Sequence, residues 1–308
     1  MTISNLKTSL LDVAKRLRPV TRSAFIPLLR IAKEWGVSVE LRLYSNEKHR
    51  EAQSDLTTPS PKILLYRRGD TDGVLALSPD REHLLTPRER FSVAHELGHC
   101  LAFRDFHALP VLKDVDPKTY REQEACMDDF AANLLVPNWL AEHWLQSVPC
   151  DKPVSISSLN DWALKHCAVS KEVLADSLTR VEPSIGFLKV GSAVRVQTTK
   201  PLFIVFYSSH GAELKLPNLH SYIDDDVFIA KIQGTSGVRW IEDCQLGDIR
   251  CGKLNVAWHE SNVSTSRRRR EFKSTVRLSG KAFWLSMRAG HRQAPMNTVA
   301  QRQLSLFE

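Results

Sequence analysis

The sequence predicts an α+β fold in two parts: a mainly helical region with a small sheet, then a β-rich mixed C-terminal domain. Apolar residues recur at helical spacing, between recognisable caps, through most of the chain up to Val181. After Glu182-Pro183 the pattern changes to short β-branched and aromatic runs separated by Gly, Asn, Asp and Ser. The composition, 43% apolar and 25% charged over 308 residues, is that of a globular chain long enough for two domains. The expected segments are a helical N-terminal region at 1–61, a second region at 62–183, a β-rich domain at 184–289 and a polar, flexible tail at 290–308.

Leu6, Leu10, Val13, Ala14 and Leu17 make the first helical stripe, which Pro19 stops. A second helix runs through Phe25, Leu28, Leu29, Ala32 and Trp35 and ends at Gly36. Val37 to Tyr44 alternates like a strand, and 45–61 is polar enough to read as a loop. Lys62 to Arg68 and Val74 to Ser78 read as a hairpin joined by Gly69-Asp70-Thr71-Asp72-Gly73, whose edge is a candidate for strand addition by an extended peptide. Thr86-Pro87-Arg88-Glu89 is a capping box that opens a helix to about Phe103. Gly98 within that helix implies close approach of another backbone. Asp116-Pro117 opens the next helix and Pro137 closes it. Further helices are expected at 138–147, 156–167 and 171–181. Beyond the boundary, Phe203 to Tyr207, Val227 to Ile232, Leu254 to Trp258 and Phe283 to Leu285 read as strands.

Charge and cysteine usage narrow the function classes. The net charge is +7, and the stretch from Glu260 to Glu308 alone, with ten Lys/Arg against three acids, accounts for it. Any attraction to nucleic acid therefore belongs to that segment, where Arg267, Arg268, Arg269 and Arg270 are candidate phosphate contacts; a plain solvated basic face is the simpler alternative. No apolar run approaches the ~20 residues of a membrane span, so no membrane partner is expected. The start of the chain shows no signal-peptide pattern. Six scattered cysteines without a C-x-x-C pair read as reduced thiols of a cytoplasmic protein.

The chemistry is concentrated in His95-Glu96-Leu97-Gly98-His99, an H-E-x-x-H motif on a predicted helix. Residues i and i+4 share a face, so His95 and His99 can hold one ion together. A hydrolytic zinc site needs three protein ligands and one open position. Glu124, 25 residues after His99 on the following helix, is the chosen third ligand. Asp128, one turn on, is placed to accept the other ring N–H of a ligating histidine. Glu122 is a rival ligand, but it points about 200° away from Glu124, so only one of the two faces the metal. Zinc would polarise a water and the substrate carbonyl, and Glu96 would take the water's proton and pass it to the leaving amine. Tyr120, Arg121, His107 and His143 are all candidates for the oxyanion donor.

Arg90 to His99, followed by Glu124-Ala125-Cys126-Met127-Asp128-Asp129-Phe130-Ala131-Ala132-Asn133-Leu134-Leu135-Val136-Pro137, resembles the ImmA/IrrE-type metallopeptidases. Met127 stands where that family usually has alanine, and Val136 where it has methionine. The resemblance covers roughly 62–181. It implies a zincin-like fold, Zn2+ held by His95, His99 and Glu124, and Glu96 as catalytic base. It also implies a substrate class, since members of the family cleave helix-turn-helix repressors and so switch on mobile-element or DNA-damage genes. Some relatives carry a GAF-like sensor at the C-terminus, although no motif at 184–289 marks one.

The last residues, Gln303-Leu304-Ser305-Leu306-Phe307, resemble the short peptide by which bacterial proteins bind the DNA polymerase sliding clamp. Two other readings stand beside that of a zinc endopeptidase. One is a non-catalytic regulator on a peptidase-like fold that binds DNA or a partner. The other is a toxin or defence component acting near replication.

Overall fold

A computed structural model describes residues 2–17, 24–45, 52–56, 60–108, 116–149, 152–233, 237–242, 244–246, 249–251, 254–262 and 276–289. Arg267 to Arg270 and Gln303 to Phe307 lie outside the described residues. The chain divides into two compact units, residues 1–147 with 157–181, and residues 148–156 with 182–308.

In the first unit α1 (Ile3–Leu17) is amphipathic and buries Leu6, Leu10 and Ala14. It packs along α4 (Pro117–Leu135), and Lys7 Nζ lies 2.5 Å from Asp129. Helix α2 (Leu28–Glu34) begins after Pro27 and ends before Gly36, whose φ of 70° suits a residue without a Cβ. A four-stranded sheet follows, built from β1 (Ser38–Tyr44), β2 (Ala52–Asp55), β3 (Lys62–Arg68) and β4 (Gly73–Leu77) in the order β2-β3-β1-β4.

Two expectations are corrected by this sheet. Lys62 to Ser78 is not a hairpin, because β1 lies between β3 and β4, parallel to the first and antiparallel to the second. The polar stretch 45–61 is not all loop, because Ala52–Asp55 pairs antiparallel with β3. Four polar or small residues give no hydrophobic alternation, and backbone pairing with β3 places them in the sheet.

Helices α3 (Pro87–Phe106), α4, α5 (Asn138–Leu145), α6 (Ile156–Trp162, widening into a π turn to Cys167) and α7 (Lys171–Val181) complete the unit. A buried ion pair fastens α3 to α2. Arg90, 1% exposed, pairs with Glu82 and donates to the Ile26 carbonyl at 2.7 Å. The Glu82 carboxylate accepts the first-turn amides of Leu28 and Leu29, at 3.0 and 2.7 Å, which have no partner inside their own helix.

The second unit is a six-stranded antiparallel sheet. Its strands are β5 (Ile185–Arg195), β6 (Pro201–His210), β7 (Tyr222–Ile223), β8 (Gly237–Ile241), β11 (Leu254–Asn262) and β12 (Val276–Ala289), in the order β7-β6-β5-β12-β11-β8. A separate hairpin pairs β9 (Cys244–Leu246) with β10 (Ile249–Cys251). Leu188, Phe203, Val205, Val256, Phe283 and Leu285 form the core on one face of the large sheet. They pack there with Phe228, Ile229 and Ile232 of α8 (Asp226–Ile232). The strand expected at Val227 to Ile232 is this helix. The Asp225 carboxylate caps it by accepting the Phe228 amide at 2.7 Å, and 228, 229 and 232 fall on one helical face.

Candidate metal centre

Helix α3 begins where the capping box predicts. The Glu89 amide donates to Thr86 Oγ1 at 3.2 Å, and the Thr86 amide to Glu89 Oε2 at 2.8 Å. Arg67 on β3 grips the same carboxylate through two hydrogen bonds, at 2.8 and 2.6 Å, and so ties the sheet to the start of the helix. On the other flank Gly98 faces α4. A Cβ built on Gly98 would stand 2.9 Å from Met127 Sδ and 3.1 Å from Phe130 Cδ1. The close approach expected at Gly98 therefore comes mainly from side chains, with the Met127 Cα at 3.7 Å.

These contacts define the free face of α3. At about 100° per residue, His95, His99, Ser92 and Glu96 fall within an arc of roughly 100°. All four are half-buried, whereas Val93, Ala94, Leu97, Gly98 and Cys100 are buried. Glu89, held by β3, bounds one side of the arc, and Gly98, pressed on α4, lies beyond the other.

Three side chains converge over this face. His95 Nε2 lies 3.5 Å from Glu124 Oε2, His99 Nε2 lies 3.3 Å from Glu124 Oε1, and the two ring nitrogens are 3.2 Å apart. A tetrahedral zinc with bonds of about 2.05 Å requires donor separations of about 3.4 Å, so this set fits the ion. Among the described residues, His95, His99 and Glu124 are the group whose donor atoms converge for a metal. His95 Nδ1 lies 2.8 Å from Asp128 Oδ1; donation of that N–H leaves Nε2 unprotonated for the ion. Glu122 is exposed and reaches Lys118 at 3.9 Å, away from the cluster.

Burial disfavours a charged His95, yet its hydrogen bonds to Asp128 and Glu124 carry its pKa up to about 9. Hydrogen bonds from His95 and His99 hold Glu124 down at about 2. A metal at neutral pH therefore competes with a proton on His95 but not with one on Glu124. Zinc uptake at pH 7 is expected to release about one proton, and the affinity to rise about tenfold per pH unit until it levels off near pH 9. Titration calorimetry in buffers of differing ionisation enthalpy measures the proton count. The linkage has the opposite sign for the metal-free fold. Because the His95 pKa is raised, its stabilising contribution is full below about pH 6.5 and is lost as pH climbs through about 9.

Glu96 is half-buried, and its carboxylate has no hydrogen-bond partner among the described residues. The oxyanion candidates separate by position. Arg121 bonds back to the Pro117 carbonyl of its own helix, His143 is exposed on α5, and His107 caps α3 in the left-handed conformation. Tyr120 is half-buried on the stripe of α4 that carries Glu124 and Asp128. Sequence patterning gave no sign that β2 and β3 pack along α3.

The tight α3–α4 contact makes Gly98 a sensitive position. Gly98→Ala gains about 1 kcal/mol of helix propensity but overpacks Met127 and Phe130 at a cost of about 1–3 kcal/mol. The expected result is a net loss of stability together with weaker zinc binding, because Glu124 sits one turn from Met127. Met127→Ala should cost less in the Gly98→Ala background than in the wild type, a coupling that a double-mutant cycle of melting temperature and zinc affinity would register.

Residues 59–146 match the model of the IrrE N-terminal-like domain, a peptidase family. That part of the chain is thus similar to the IrrE N-terminal-like domain, whose family holds peptidases and some non-catalytic members. No curated protein matches the chain. The matched stretch carries all three candidate ligands but leaves out α1, α2, β1, β2, α6 and α7 of the same compact unit.

Proposed function

We propose that the chain is a zinc-dependent endopeptidase that cleaves a regulatory protein, with a helix-turn-helix repressor as the substrate class and stress or mobile-element genes as the output. The observation that carries the hydrolytic reading is Glu96. It is an unpaired, half-buried carboxylate on the same face as His95 and His99, and a pure binding protein has no use for it. The repressor rests on the resemblance of the two motifs alone.

His95, His99 and Glu124 would hold the zinc, and Asp128 would orient His95. The ion supplies Lewis acidity that brings a water's pKa near 7. Glu96 then takes the water's proton and returns it to the leaving amine. The substrate backbone lies along the edge of β2, which pairs with no second strand among the described residues and packs on α3, and not along β4. Two surfaces would choose the target. The tail Gln303 to Phe307 would insert Leu304, Leu306 and Phe307 into the sliding clamp, and Arg267 to Arg270 would contact phosphates.

Mass-spectrometric mapping of products from a mixed peptide library, with the zinc-loaded protein, tests the hydrolytic reading. Internal cleavage that stops on chelation and returns with zinc supports it. Chelator-insensitive cleavage, or none at all from protein holding one zinc per chain, overturns it. For the tail, Leu306→Ala with Phe307→Ala is expected to abolish pull-down by the purified clamp, and undiminished binding ends that proposal.

A further inference from the structure

We infer that the second unit carries a binding site for a small oxyanion, a phosphate or a carboxylate, held by Arg288 and Ser286 of β12 on the sheet face opposite α8. Phe283, Leu285 and Met287 point into the core that α8 covers, so Trp284, Ser286 and Arg288 point to the other face. Arg288 is 5% exposed. It donates to the Pro149 carbonyl at 2.7 Å, but its buried Nε–H has no acceptor, and no carboxylate pairs with it among the described residues. Ser286 is 0% exposed, and its hydroxyl has no partner either.

A guanidinium is rarely buried unless an anion balances it. The surrounding side chains supply none. The register sets Arg288 between Ile185 and Asn255, Ser286 between Phe187 and Ala257, and Trp284 between Lys189 and His259. None of these neighbours is acidic, and Lys189 adds a second cation, its Nζ 5.6 Å from the Trp284 ring. A water satisfies a hydroxyl but does not balance a guanidinium. Space and access follow from the same register. Ser286 and Ala257 are short side chains lying side by side among longer ones, which leaves a hollow in the face. The next residue across the ladder is Val238, 58% exposed, so the hollow opens toward the edge strand β8. An oxyanion seated there accepts from both the Ser286 hydroxyl and the Arg288 Nε–H.

Titration calorimetry of the full chain with inorganic phosphate and with acetate, at an ionic strength held constant with sodium chloride, tests this. Saturable binding of one anion per chain by either probe is expected, and the tighter probe names the acid group of the ligand. Ser286→Ala is expected to weaken that anion about tenfold, as one hydrogen bond to a charged group is lost, without lowering the anion-free melting temperature. Arg288→Met puts an apolar chain of similar length in place of the buried charge and should abolish binding. The serine variant decides the matter if the methionine variant does not fold. No saturable binding of either probe by the wild type, or an unchanged affinity in Ser286→Ala, overturns the inference.

Discussion

Glu96→Gln is expected to lower turnover by about a thousandfold while leaving one zinc per chain and an unchanged melting temperature. General base catalysis contributes roughly 10²–10⁴ to a rate, and an amide cannot accept the proton. The substitution is nearly isosteric, and Glu96 has no hydrogen-bond partner among the described residues to lose, so the fold gives no reason for a stability change. Glu124→Gln is the contrasting variant. It removes the charge that pairs with both histidines, so zinc and activity should fall together. Metal analysis beside steady-state kinetics separates the two. Retained turnover in Glu96→Gln would show that this carboxylate is not the base.

The difference between these variants was legible in the sequence because helices encode it locally. The i, i+4 spacing of His95 and His99, the Thr86 and Asp116 caps, and the one-turn step from Glu124 to Asp128 are all set within a few residues. The sheet was not legible in that way. The pairing of β1 with β3 is parallel, and that of β1 with β4 joins residues thirty or more positions apart, so neither leaves a turn signature. Val227 to Ile232 misled for another reason. Its β-branched and aromatic composition favours a strand, but the Asp225 cap and burial against the sheet of the second unit make it helical. Propensity is a weak prior where packing decides.

The segment that precedes the family match yields the largest effect of all. A chain beginning at residue 59, where the family match begins, is expected to show no cooperative unfolding transition and no stoichiometric zinc binding. Such a chain retains every ligand but loses β1, the strand that joins β3 to β4. It loses the buried Val39 and Leu41, and it uncovers Ile63 and Leu65, which are 0% exposed in the intact unit. Each large apolar side chain removed from a core costs about 2–5 kcal/mol, against a total stability of about 5–15 kcal/mol. The truncation also strips Glu82 of the Leu28 and Leu29 amides and Arg90 of the Ile26 carbonyl, leaving a buried ion pair part-satisfied at the start of the metal helix. Loss of α1 bares the flank of α4 that Leu6, Leu10 and Ala14 cover. Circular dichroism melts of chains 59–183 and 1–183 make the comparison. A sigmoidal melt with one bound zinc in the shorter chain would mean that the helices alone hold His95, His99 and Glu124 together, and that the sheet serves the substrate and not the site.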